Sequence, residues 1–276
     1  MALPNALISG GSSGIGLALA QSLAAQGWNL SILARDPARL AAARAAIQSA
    51  RRETAQQVKT FSADVTDAGA AADAVHAAMA EFGPPRLLVT SAGIVIPGLF
   101  ETLPASAFER TMAVNYFGTL NVVRAALPRM QAVRGGRIVL ISSGAGLVGL
   151  YGYTAYAPSK FAVRGFAESL RAELKPDGIA VSVVYPPDTD TPQLQEEQAL
   201  RPPALAALAS GSRVLSADEV ARAILKGVGR GKFIIAPGRD MKALAMLHSL
   251  IAPLLNRVWA DRVVARLHRR PPPPRA

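Results

Sequence analysis

Tyr156-Ala-Pro-Ser-Lys160 sets a phenol and an ammonium four residues apart, one helical turn, and therefore on the same helix face. The spacing has a chemical use. A free tyrosine ionises near pH ~10, and a positive charge held beside it stabilises the phenolate and lowers that value. In the reductive direction such a phenol gives its proton to a carbonyl oxygen while the carbonyl carbon is reduced. Alone the pattern is weak, because Tyr-x-x-x-Lys pairs arise by chance on exposed helices. Ser143, thirteen positions earlier, follows the strand-like run 137–142. It therefore falls at the C-terminal edge of a sheet, where open α/β sheets hold their ligands. Its hydroxyl could hydrogen-bond and orient a substrate oxygen.

A second chemical feature stands at the start of the chain. Gly10-Gly-Ser12-Ser13-Gly14-Ile15-Gly16 comes straight after a short apolar run and straight before a helical pattern opening at Leu17. Glycines let the backbone turn sharply and approach a pyrophosphate, while the N–H groups and positive dipole end of the helix face the phosphate charge. Glycines also serve plain turns, but the strand–turn–helix setting points to dinucleotide binding.

The elements that must position these groups follow an α/β rhythm. Strand candidates are 6–9, 30–34, 58–63, 87–90, 137–142, 181–185 and 233–236, and helical runs lie near 15–26, 37–51, 69–82, 106–130, 155–175 and 217–228. Runs such as Arg137-Ile-Val-Leu-Ile are apolar without alternation, as strands covered on both faces are. The fold class is α/β: a doubly wound, Rossmann-type parallel sheet of about seven strands with helices on both faces, in one domain over 1–238. Residues 188–212, with three prolines and several leucines, read as a lid over a pocket or as a plain connecting loop. Residues 239–276 form a basic, amphipathic helical tail ending in a proline-rich, non-helical segment.

Composition removes other chemistries. The 276 residues hold no cysteine and three scattered histidines, which excludes disulfides, iron–sulfur clusters and thiolate zinc sites and leaves no metal centre to expect. No stretch resembles a secretory signal or a membrane span, so a cytoplasmic catalyst is expected, with any membrane contact peripheral. The net charge is +11, and residues 191–276 carry 14 basic against 6 acidic side chains. Neither an aromatic-interleaved basic platform nor a recognition helix accompanies that charge, so no nucleic acid partner is expected.

The Gly-x-x-x-Gly-x-Gly spacing, with Tyr156-x-x-x-Lys160 and Ser143 downstream, resembles the short-chain dehydrogenase/reductase family. Ser9 stands where the family commonly has Thr, a hydroxyl able to make the same local hydrogen bonds. The resemblance implies an oxidoreductase with Asn115, Ser143, Tyr156 and Lys160 as catalytic residues, Asn115 holding a water in a proton relay through Lys160. It implies nucleotide contacts from Gly10, Ser12, Ser13, Gly14, Ile15 and Gly16, from Ala92 and Gly93, and from Pro186, Thr189 and Thr191, besides Tyr156 and Lys160. Asp64 and Val65 would recognise adenine, or Asp64 is an ordinary turn aspartate. At the end of the second strand Arg35 stands where NADP enzymes place a base, and Ala34 where NAD enzymes tend to place an acid. NADP(H) is therefore the cofactor implied, with Asp36 left to cap the next helix. Helices near 106–130 and 155–175 form dimer faces in much of the family, which implies a homo-oligomer.

Longer strings narrow the resemblance. Tyr185-Pro-Pro-Asp-Thr-Asp-Thr-Pro192, Gly149-Leu-Tyr-Gly-Tyr-Thr-Ala-Tyr156 and Lys160-Phe-Ala-Val-Arg-Gly-Phe-Ala-Glu168 are similar to a subgroup that reduces the 3-keto group of a long-chain lipid ketone bearing an amine, in sphingolipid synthesis. Alternatives are reduction of another hydrophobic ketone, such as a steroid or 3-oxoacyl compound, and a dinucleotide-sensing or scaffold protein. The intact catalytic set argues against the last. The apolar segment 243–255 and the arginines up to 270 suit an anionic membrane surface or the face of a partner subunit.

Overall fold

The structure, a computed structural model, describes residues 3–210, 213–254 and Arg262. Its strands are β1 (Asn5–Ser9), β2 (Asn29–Ala34), β3 (Val58–Ser62), β4 (Leu87–Thr90), β5 (Arg137–Ile141), β6 (Ala180–Val184), β7 (Thr189–Asp190), β8 (Leu215–Ser216) and β9 (Ile234–Ile235). Seven of them form one parallel sheet in the order β3-β2-β1-β4-β5-β6-β9. The short β7 and β8, which the sequence did not signal, pair in parallel as a separate ribbon.

Around the sheet lie α1 (Gly14–Ala24), α2 (Pro37–Ser49), α3 (Ala68–Phe82), α4 (Ala105–Met112), α5 (Gly118–Ala132), α6 (Tyr156–Leu174), α7 (Pro192–Leu200), α8 (Pro203–Ala209), α9 (Ala217–Gly229) and α10 (Arg239–Leu254). In β1, Leu7 joins a core with Val75 of α3, Val122 of α5 and Val163 of α6. Its neighbours Ala6 and Ile8 join another with Leu19 of α1, Leu40 of α2 and Ile224 of α9. Successive side chains thus leave the strand on opposite faces into two helical layers. Each large apolar side chain so buried contributes about 1.5–3 kcal/mol. The sheet order reverses between β1 and β4, and the crevice beyond their C-terminal ends is the place such a topology offers a ligand.

Three elements differ from the sequence expectation. The helical run 106–130 is interrupted at Ala113–Phe117 by a π-helical turn, which carries Asn115. The chain resumes as α5 at Gly118, where a Cβ would come within 2.6 Å of the Val65 side chain, so the helix start is pressed against the loop after β3. The stretch 188–210 is largely helical. Pro192 and Pro203 sit at the first positions of α7 and α8, where a missing N–H removes no helical hydrogen bond. The Thr191 hydroxyl caps α7 by accepting from Leu194 N at 3.2 Å. Leu194, Leu205 and Leu208 are buried beneath these helices. The third difference is α10, whose Met241 and Ala245 pack into the core instead of standing off as a tail. Residues 255–261 and 263–276, including most of the basic stripe and the proline run, lie outside the described residues. No described helix is long and apolar enough to cross a membrane.

Candidate active site

The turn after β1 needs its glycines. Gly10 has φ +72° and Gly14 φ +51°, left-handed conformations that other residues adopt at a cost. A Cβ on Gly10 would lie 2.4 Å from Ala92 N, because this turn and the loop after β4 touch across the crevice. A Cβ on Gly14 would meet the Thr191 methyl at 3.0 Å, so a side chain there would fill the gap between the turn and α7. Ser13 makes no side-chain cap bond to α1, and no acid stands in that helix's first turn. By contrast, Asp36 and Asp67 cap α2 and α3. The first N–H groups of α1 are therefore open to an anion, and the turn fits the diphosphate of a dinucleotide.

Most of the residues expected at the site line one cavity of about 700 Å³, from Arg35 and Asp64 at one end, past Gly10, the run 12–15, Ala92, Gly93, Pro186, Thr189 and Thr191, to Ser143, Tyr156 and Lys160. Gly16 and Asn115 do not. Gly16 lies behind the turn, where a Cβ would fall 2.3 Å from Gly10 O, and its smallness serves helix-to-strand packing. Asn115 is buried behind the wall. Its Nδ2 donates to Ile94 O (3.0 Å) and Ser159 Oγ (2.9 Å), and its Oδ1 accepts from Ile94 N (2.8 Å). The side chain thus fixes the loop after Gly93 and anchors Ser159 of α6, which leaves it little freedom to hold a water. Ser9 also departs from expectation: its hydroxyl and that of Thr90, register partners on β1 and β4, are buried without a partner among the described residues.

At the far end Arg35 pairs with Asp64 at 3.6 Å. Burial tends to raise the Asp64 pKa, but bonds from Thr66 N (2.9 Å) and Thr66 Oγ1 (2.8 Å) and the Arg35 charge outweigh it and hold the carboxyl below its ordinary value. The turn role is thus realised in a residue that also lines the cavity. Asp36 caps α2 as expected, and Arg39, not singled out in the sequence, joins Arg35 at this end.

The proton-handling groups lie just after β5 and on α6. Ser143 starts a single 3-10 turn, its Oγ accepting from Ala145 N at 3.2 Å. The Lys160 ammonium donates to Ile141 O at 3.2 Å and lies 5.6 Å from the centre of the Tyr156 ring. Burial lowers Lys160 to about 8. Tyr156 goes the other way from the simple spacing argument. Burial of its hydroxyl pushes the pKa above the ordinary tyrosine value, Ser143, within hydrogen-bonding reach, pulls it down, and the charges of Glu197 and Asp188 add to the rise. The phenol is held as a neutral acid.

Those two carboxylates belong to a network that the sequence did not reveal as a unit. Arg201 of α7's C-terminal end reaches Asp188 at 2.8 Å and Glu197 at 2.7 Å, and its Nη2 donates to Tyr153 Oη at 3.3 Å. The Tyr153 hydroxyl donates to Glu197, and the Tyr153 ring packs edge-on to Tyr156 with centroids 5.3 Å apart. Burial raises Glu197 against the pull of Tyr153 and Arg201. Burial would lower Arg201, but Tyr153, Asp188 and Glu197 more than offset it and keep the guanidinium charged. The one signal available in the sequence was the Glu197–Arg201 spacing of four on a helix.

The fold and this site define an oxidoreductase class. The short chain dehydrogenase pattern matches residues 4–201, and the chain belongs to that family. It is similar to the 3-ketodihydrosphingosine reductase of Bos taurus, 38% identical over 259 residues covering 93% of this chain and 78% of that one. It is also similar to a 3-dehydrosphinganine reductase of Arabidopsis thaliana, 42% identical over 231 residues covering 83% and 68%. Among solved structures, a short-chain dehydrogenase from Sphingobium yanoikuyae in complex with NADPH superposes with a TM-score of 0.77 at 28% identity, over 93% of this chain and 96% of the other.

Proposed function

We propose that this chain reduces the keto group of 3-ketodihydrosphingosine to the alcohol of sphinganine with NADPH. The observation that carries this is a single cavity that joins an anion-ready glycine turn and two arginines to a half-buried phenol and serine and a buried lysine under a leucine-bearing cover. The relatives' names supply the ketone, and the NADPH-bound structural relative supports the cofactor. When bound, the reduced nicotinamide supplies the two reducing electrons. Gly10 to Ile15 and the α1 N-terminus would hold the diphosphate, and Arg35 with Arg39 would pair with a 2′-phosphate. Ser143 orients the ketone oxygen. Tyr156, kept neutral by burial, holds at Oη the proton that the oxygen receives. Lys160 lies behind it to restore that proton, and Asn115 positions the loop and helix between which they work.

Oxidation of NADPH, followed at 3-ketodihydrosphingosine beside steroid and 3-oxoacyl ketones, tests the reading. The sphingoid ketone is expected to give the highest kcat/KM, and a preference for another ketone would reject it. In the same assay Arg35→Ala should cut the NADPH over NADH preference by about tenfold, the equivalent of one charge-assisted phosphate contact of about 1.4 kcal/mol. An unchanged ratio would move cofactor choice elsewhere.

A peripheral, cytoplasmic-face contact with anionic lipid is part of the proposal. On α10, Met246, Leu247 and Leu250 form an exposed apolar stripe opposite the docked Met241 and Ala245. Met246→Asp with Leu250→Asp should abolish pelleting with anionic liposomes, while equal pelleting would defeat the contact. Substitution is preferable to truncation, since Met241 packs 3.1 Å from the position of a Cβ on Gly144, beside Ser143. The half-exposed Phe117 and Phe161, on the helices that form dimer faces in the family, support a homo-oligomer.

A further inference from the structure

The proton transfer just described makes no use of Asp188, Glu197 and Arg201, yet all three line the cavity beside Tyr156. Their charges do not balance: two carboxylates share one guanidinium. Arg201 is bonded to Asp188 Oδ2 and Glu197 Oε1. Asp188 Oδ1 and Glu197 Oε2 accept from no donor among the described residues. Glu197 is only 7% exposed and Asp188 is partly exposed, and both line the cavity, so the half of each carboxylate that Arg201 does not hold is open to a donor that enters there. A surplus negative charge in such surroundings is costly unless a cation meets it. It also opposes the chemistry, since the same two carboxylates make Tyr156 a weaker acid.

A substrate that brings the missing positive charge resolves both difficulties. In a 2-amino-3-ketone the ammonium sits on the carbon next to the carbonyl. A group that holds it must therefore stand beside the phenol that faces the carbonyl oxygen. The network does so, since Tyr153, which donates to Glu197, packs against Tyr156. We infer that Glu197 and Asp188 form the receptor for the protonated amine of the substrate, with Arg201 and Tyr153 holding the two carboxylates in place from behind. The inference rests on the proposed reduction and adds what selects its substrate. Docking the ammonium removes the surplus charge and relieves the carboxylate field on Tyr156, so that amine recognition and proton donation are coupled.

The alternative role for these residues is structural, a tie between α7 and the loop after β6. Kinetics on two chain-matched ketones separate the two roles: 3-ketodihydrosphingosine, and the same ketone lacking the 2-amino group. The full-length chain should favour the amine by at least about tenfold in kcat/KM, the least expected for a buried charge-assisted contact. Glu197→Gln should bring that ratio close to unity, mainly through a higher KM for the amine, and Asp188→Asn should lower it less. Where Glu197→Gln does not fold, Asp188→Asn supplies the ratio. A folded variant that loses both activities in proportion, leaving the ratio intact, overturns the inference. So does a wild-type enzyme that reduces both ketones equally well, which leaves the proposed reaction standing. Wild-type protein that reduces neither, while reducing another ketone, overturns the reaction and the inference with it.

Discussion

Replacing Tyr156 with Phe is expected to lower kcat for ketone reduction by about a thousandfold, in the middle of the range measured for a positioned general acid. The substitution removes one oxygen and keeps the ring, so the edge-on packing with Tyr153 and the approach of Lys160 to the ring face persist. Cofactor affinity, measured by NADPH fluorescence titration, should change little, because the glycine turn and Arg35 lie elsewhere along the cavity. Ser143 cannot take over, since its hydroxyl is a far weaker acid than a phenol. The buried Lys160 donates to Ile141 O from behind the ring. Turnover within a few-fold of wild type would remove Tyr156 from the role of proton donor.

Gly10→Ala should damage the protein before chemistry is reached. The position has φ +72°, where an L side chain costs roughly 1–2 kcal/mol, and the added methyl would sit 2.4 Å from Ala92 N. Relief requires the turn after β1 and the loop after β4 to part, and overpacking of this kind costs about 1–3 kcal/mol. Together the two should lower the melting temperature by about 10 °C and weaken NADPH binding, since the same turn faces the diphosphate. Gly165→Ala is the control. That glycine lies in α6 with nothing among the described residues within 4 Å of its added methyl, and the change should be neutral or slightly stabilising. A Gly10→Ala protein that melts and binds as the control does would show that the turn yields more easily than its contacts indicate.

Residues whose meaning depends on near neighbours were legible early. Asp36 caps α2 through Ala38 and Arg39, two and three residues away, and was read so from the chain. The helices that start at Pro192 and Pro203 were not legible in the chain, because a proline both ends and begins helices, and only the capped geometry of Thr191 and the burial of Leu194 show which happened. Asn115 was placed with the catalytic set by its position in the resemblance. What it touches, the Ile94 backbone 21 residues before it and Ser159 44 residues after it, emerges only when β4, the π-turn and α6 are brought together.

By itself the chain determined the alternation of strands and helices, the glycine turn after the first strand and the placing of Tyr156 and Lys160 on one helix face, because those follow from backbone periodicity over a few residues. Tertiary structure alone decided that Tyr156 is a stronger-held proton than free tyrosine, that Gly16 packs a helix instead of facing a ligand, and that Tyr153, Asp188, Glu197 and Arg201 form one network. Solvation and charge at a point are summed over everything packed around it, and the groups that dominate the sum come from distant parts of the chain.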